Sequence, residues 1–163
     1  MGKNLLPFLL FTLMVASTNA QLLYEQNFNA GLGDMTAIDN DGNTAWPTVA
    51  LYGSNWTQFP VGTFGATSGI VISNSWFQPS GQADDWLISP AIGIQNGAIL
   101  EWDALSGDNS VKDSYRVLVS TTGPEIANFT DVVLEVPAEA GLNFTKRRVD
   151  LSAYNGQEVW IAF

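Results

Sequence analysis

The stretch Ala98-Ile99-Leu100-Glu101-Trp102-Asp103-Ala104-Leu105 alternates apolar and polar residues, and that alternation decides the fold. In an extended chain Leu100, Trp102 and Ala104 share one side while Ile99, Glu101 and Asp103 share the other. Ser114–Thr121 repeats the pattern, with Tyr115, Val117 and Val119 set against Arg116, Leu118 and Ser120. In the last run, Glu158–Phe163, Val159, Ile161 and Phe163 share a face. Each pattern fits a strand with one face on a core and the other turned away from it.

Working outward, the rest of the chain shows the same texture and no helical period. Short runs rich in β-branched and aromatic residues are separated by Gly, Asn, Asp, Ser and Pro clusters. Strands are expected at Leu22–Phe28, Met35–Ile38, Thr48–Tyr52, Gly69–Asn74 and Trp86–Ser89. Further strands are expected at Ala98–Leu105, Ser114–Thr121, Val132–Val136, Lys146–Leu151 and Glu158–Phe163. Many short strands at turn-marked intervals predict an all-β, antiparallel sandwich or barrel. The sequence stops within Glu158–Phe163, without a turn or a polar tail. A terminal strand of this kind would leave an exposed apolar edge, so a further strand is expected beyond it.

Residues 1–20 read as a cleaved export signal. Lys3 supplies a basic start, Leu5 to Val15 an apolar centre, and Ala16 to Ala20 the small residues of a cleavage site, placed after Ala20. The apolar centre is shorter than the roughly 20 residues of a membrane span. The mature chain is therefore expected to be secreted, with residues 21–163 forming one domain and no membrane insertion. It contains no cysteine and no histidine. Disulfides, thiolate or imidazole zinc sites and Ser-His-Asp or Cys-His catalysis are all excluded. The formal net charge of −10 disfavours nucleic acid and suits hard cations, which carboxylates bind.

Five segments, in order, resemble the cleaved adhesin family, jelly-roll modules related to the choice-of-anchor J group in Bacteroidetes surface proteins and gingipain-type proteases. Asp39-Asn40-Asp41-Gly42-Asn43 with Trp46 resembles the family's early acidic turn, and Asp85-Trp86-Leu87-Ile88-Ser89-Pro90-Ala91-Ile92 its "DNWLISPAI" segment. Asp113–Gly123 resembles "DSYxVxVSTTG", Asn128-Phe129-Thr130 with Leu134-Glu135 resembles "FT … LLE", and Val149–Tyr154 with Ile161-Ala162-Phe163 resembles "VDLSAY … IAF". The resemblance implies a galactose-binding/MAM-like jelly-roll sandwich, lacking here the family's last strand. It also implies a non-catalytic adhesin module, one domain of a larger exported polypeptide, that binds an extracellular protein or a glycan. A carbohydrate-binding module of a secreted hydrolase and a structural spacer stay open as alternatives.

Calcium takes about six to eight oxygen ligands, several from carboxylates held on a turn. Asp39 and Asp41, with Gly42 behind them, offer two from one tight loop, though Asx-rich turns also form without metal. The loop is not an EF-hand, because the twelfth residue from Asp39 is Ala50 rather than glutamate. With the resemblance, Ca2+ is expected at Glu25, Asp39, Asp41 and Asp85, with Asp84 and Asp108 beside Asn109 as further candidates. Glu101-Trp102-Asp103 resembles the catalytic strand of laminarinase-like glycosidases, but Ser106 stands where the second carboxyl group would be needed. No enzymatic site is expected there. Among the tryptophans, Trp86 and Trp102 lie in apolar strand patterns, whereas Trp56 and Trp76 lie in polar surroundings and are the expected ligand contacts. On a strand, Lys146 and Arg148 would point one way and Arg147 the other.

Overall fold

Strand alternation settles where each side chain goes, and the computed structural model, which describes residues 20–108, 110, 112–139 and 141–163, follows it closely. The expected leader (apart from Ala20) and Asn109 lie outside the described residues. In order, the strands are β1 Thr36–Asp39, β2 Thr57–Phe59, β3 Ile70–Ile72, β4 Asp85–Ile88 and β5 Ile92–Gly93. They continue with β6 Ile99–Ala104, β7 Tyr115–Ser120, β8 Asp131–Val136, β9 Thr145–Asp150 and β10 Glu158–Ala162. All pair antiparallel, in the order β1-β4-β10-β7-β8 with β5 also on β10, while β2–β3 and β6–β9 form separate pairs.

The main core lies where the large sheet meets β6–β9. Val117 and Val119 of β7 and Val159 and Ile161 of β10 are almost fully buried against Leu100, Trp102 and Val149. Each such side chain contributes about 1.5–3 kcal/mol by leaving water. The alternate residues of the same strands point the other way. Leu118, Trp160 and Ala162 join Trp86, Ile88 and Ile38 in a second apolar cluster on the outer face, covered in part by Phe129. The fold is thus an all-β, antiparallel jelly-roll sandwich whose larger sheet is apolar on both sides.

Three expectations give way. Leu22–Phe28 forms no ladder, although Leu23 and Tyr24 still pack on the core. At its end side chains engage the backbone instead: the Phe28 amide donates to Gln26 Oε1 at 2.8 Å and Gln58 Nε2 to the Phe28 carbonyl at 2.9 Å. Thr48–Tyr52 is not a strand either, because Pro47 opens a turn closed by Val49 N–H on the Trp46 carbonyl and a 3₁₀ turn follows at Ala50–Tyr52. Finally, β10 is interior rather than an exposed edge. It lies between β4 and β7, and Phe163 exchanges both backbone hydrogen bonds with Leu87 at 3.0 Å. β2 and β5 were not expected; at three and two residues they are too short to show alternation.

Candidate functional site

The acidic turn is built at one end of the β1–β4 pair. Asp39 ends β1, Asp85 begins β4, and the two are directly opposite in the ladder. Past Asp39 the chain reverses through Gly42, whose φ of +65° only glycine adopts at little cost. The turn is closed by its own carboxylates: the Gly42 amide donates to Asp39 Oδ1 and the Asn43 amide to Asp41 Oδ1, both at 2.6 Å. It is tied to the segment before β4 by the Asp84 amide on Asp41 Oδ2 at 2.5 Å and by Asn43 Nδ2 on the Gln82 carbonyl at 2.9 Å.

These ties bring one carboxylate oxygen each from Asp39, Asp41 and Asp85 to within 4.8 Å of one another. Asp85 Oδ2 accepts from the Ser73 hydroxyl at 3.0 Å, whereas Asp85 Oδ1 is buried with no hydrogen-bond partner among the described residues. Burial pushes the Asp85 carboxyl up to about 6, with the neighbouring Asp41, Asp39 and Asp84 carboxylates adding to it and Ser73 opposing. Asp84 is aimed elsewhere, its carboxylate held by Asn40 Nδ2 at 2.5 Å and the Trp86 indole N–H at 2.7 Å. Glu25 is exposed on the irregular first segment, outside this group. Asp108 is outside it too, its Oδ1 accepting from Ser110.

Three carboxylates gathered this closely suit a hard cation. Oxygens bound at 2.3–2.6 Å to one calcium ion are separated by at most about 5 Å, which the spacing of Asp39, Asp41 and Asp85 meets. Without a cation, the same geometry concentrates negative charge where solvent reaches only part of it.

The tryptophans sort by their indole N–H groups. Trp56 donates to the Asp85 carbonyl at 3.4 Å, Trp86 to Asp84, and Trp102 to the Tyr115 hydroxyl at 3.1 Å. Trp56 is half-buried and props the strand that carries Asp85. Trp76 is 55% exposed and stacks on Trp46 with ring centroids 6.1 Å apart and planes 14° apart. The indole N–H groups of Trp46, Trp76 and Trp160 have no acceptor among the described residues. Exposure read from local polarity therefore fits Trp76, while Trp56 is drawn inward by a strand distant in sequence.

Glu101 and Asp103 face cations across the β6–β9 ladder: Arg148 lies 3.9 Å from Glu101 and Lys146 3.4 Å from Asp103. Arg147 points to the opposite side, as alternation requires, and reaches the buried Glu139 at 2.7 Å. Glu139 Oε2 also accepts from the Tyr115 hydroxyl at 2.8 Å, which extends the chain of bonds to Trp102.

The fold is thus an antiparallel β-sandwich with an acidic turn at one end of the β1–β4 ladder. The chain belongs to the Cleaved Adhesin Domain family, whose sequence profile matches residues 22–163. It is 32% identical over 151 residues to Hemagglutinin A of Porphyromonas gingivalis W83, covering 79% of this chain and 7% of that protein. It is 29% identical over 128 residues to Lys-gingipain W83 of Porphyromonas gingivalis, covering 74% of this chain and 7% of that protein. The chain thus spans less than a tenth of the length of the curated relatives it matches. Among solved structures, the K1 cleaved adhesin domain of Lys-gingipain from Porphyromonas gingivalis W83 superposes with a TM-score of 0.61 at 24% identity, over 84% of each chain. The K3 domain of the same protein gives 0.60 at 23% identity, over 86% of this chain and 85% of that one. Among the described residues no helix is long and apolar enough to cross a membrane.

Proposed function

We propose that this chain is a secreted, non-catalytic adhesin module of a larger exported polypeptide, stabilised by Ca2+ and recognising an extracellular protein or glycan. The observation that carries the calcium is the gathering of Asp39, Asp41 and Asp85 oxygens within 4.8 Å, together with a buried Asp85 Oδ1 that has no hydrogen-bond partner among the described residues. In this reading Asp39, Asp41 and Asp85 hold the ion, and backbone oxygens or water fill its other positions. Glu25 would have to approach to join them. The ion ties the turn after β1 to the start of β4 and does no chemistry itself. Recognition falls to the exposed Trp76, presented on Trp46, while Trp56 supports the metal turn from behind. The near-parallel Trp46–Trp76 pair offers a flat aromatic face, which favours glycan recognition as the second reading.

The test is a thermal melt of the full chain with calcium and then with EDTA, beside the Asp39→Ala/Asp41→Ala variant. A calcium-dependent rise in midpoint that the double variant abolishes is expected. A cooperative melt indifferent to calcium would reduce Asp39 and Asp41 to turn residues and remove the metal.

A further inference from the structure

Phe129, which follows the 3₁₀ turn Ile126–Asn128, covers only part of the outer face of the large sheet, packed on Trp86 at 5.7 Å between ring centroids. Beside them the face opens into a groove of about 420 Å³. Its floor is Ile38 of β1, Ile88 of β4 and the half-buried Trp160 of β10, and Pro90 and Pro124 line it further. Two carboxylates also line it: Asp34, which accepts from the Tyr24 hydroxyl at 2.7 Å, and Glu125, which accepts from Asn128 Nδ2 at 2.7 Å. The second oxygen of each has no hydrogen-bond or ion-pair partner among the described residues. Among the described residues no basic side chain lines the groove. Arg116, Lys146, Arg147 and Arg148 are all in ion pairs with other acids.

An apolar floor with uncompensated carboxylates beside it matches one kind of side chain, an amphipathic cation. Lysine and arginine carry a hydrocarbon stem that lies on apolar surface and a charged head that seeks acceptors. An indole face adds cation–π attraction, and the unused Trp160 N–H can donate to a backbone carbonyl of the same ligand. The chain's net charge of −10 draws cationic partners toward any of its surfaces. Within the groove, Asp34 and Glu125 would convert that general attraction into a place.

We propose that this groove binds a lysine or arginine side chain of a protein partner, with its stem on Trp160 and the prolines and its head at Asp34 and Glu125. The inference rests on the reading of the chain as a binding module and gives its partner a chemistry.

The test titrates the full chain with end-blocked hexapeptides bearing a central arginine, lysine or norleucine, followed by calorimetry and by the indole N–H resonances. The Trp160 resonance is assigned from Trp160→Phe. Arginine and lysine peptides are expected to bind with Kd on the order of 1 mM, as a single-side-chain pocket allows. They should shift the Trp160 resonance and lose about tenfold in affinity in Asp34→Asn/Glu125→Gln. Glu101→Gln/Asp103→Asn removes the same charge from the other sheet and should leave affinity unchanged. Equal weakening by both double variants, norleucine binding as tightly as arginine, or no peptide binding would each overturn the proposal. Binding of a neutral oligosaccharide to the groove, in place of the peptides, would assign it to glycan instead. A calcium-dependent melt with no peptide binding refutes the groove alone, whereas peptide binding without a calcium response removes only the metal.

Discussion

Asp85→Asn is expected to raise the stability of the metal-free chain and to lower that of the calcium-loaded one. In the absence of a cation, Asp85 places a carboxylate oxygen within 4.8 Å of those of Asp39 and Asp41. Two unit charges at that distance repel by about 1 kcal/mol even at the dielectric of water, before salt reduces it. A carboxamide keeps an oxygen for the Ser73 hydroxyl and can turn its NH2 toward the two remaining carboxylates, giving the buried position a donor. The net gain is on the order of 1–2 kcal/mol, which in a domain of this size raises the melting midpoint by about 3–6 °C. With calcium present the balance reverses. An ion at a hundred times its Kd stabilises the folded chain by about 2.7 kcal/mol, and Asp85→Asn forfeits most of that. The assay is a pair of melts, one in EDTA and one in calcium, on both proteins. A lower midpoint for Asp85→Asn in EDTA, by as much as in calcium, would refute the reasoning. It would mean that the carboxylate is a structural acceptor and not an uncompensated charge.

Arg147→Met should lower the melting midpoint by several degrees, because it removes the cation beside the buried Glu139 carboxylate, whereas Glu139→Leu/Arg147→Met should recover most of the loss. A double-mutant cycle read by denaturant titration checks this, and additive losses would count against the pair acting as a unit. Trp56→Ala should cost about 2 kcal/mol, being half-buried and bonded to the Asp85 carbonyl, and Trp76→Ala no more than about 1, so urea midpoints should separate the two. In alkali, Tyr115 should stay protonated well past the ordinary phenol range. Burial holds its hydroxyl up at about 12, with Glu139 adding to this and Trp102 and Arg147 opposing. A raised folded value means that this stabilisation is complete below about pH 10 and is lost as pH rises through about 12, and tyrosinate absorbance followed alongside the unfolding signal reports it.

What the sequence made legible was whatever depends on neighbours in the chain. The sides assigned to Leu100 and Glu101, or to Val117 and Leu118, follow from two-residue alternation, and the structure keeps them. Asp39, Asp41 and Gly42 were readable as a turn because Asx and glycine chemistry acts over three residues. Segments whose backbone is satisfied by side chains escaped the same logic. Leu22–Phe28 has strand-like composition, yet Gln26 and Gln58 take the Phe28 amide and carbonyl that a ladder would use. Trp56 looked exposed because its neighbours are polar, and only the return of β4 shows why it is drawn inward. Glu139 has nothing local to mark it as buried, since its partners Arg147 and Tyr115 lie on separate strands. The groove is assembled from four distant segments, and its residues share no spacing that could have announced it.

The acidic turn and the groove are not independent in this fold, because both are built on the β1–β4 pair. Asp39 faces Asp85 at one end of that ladder, and Thr36 faces Ile88 at the other, with Ile38 and Ile88 in the groove floor. β1 is an edge strand of four residues, and β4 is its sole strand partner among the described residues. Repulsion between Asp39 and Asp85 therefore works directly against the pairing that positions Ile38. A cation that cancels it would hold β1 in register and with it one wall of the groove. A ligand that favours the ordered strand must favour cation binding by the same factor, since linkage is reciprocal. Peptide affinity measured in calcium and in EDTA should thus differ, with tighter binding in calcium. The same peptide at saturation should tighten calcium by an equal ratio. Equal affinities in both buffers, in a chain shown to bind calcium, would mean that the ladder stays formed without the ion and that the two sites share strands but no energy.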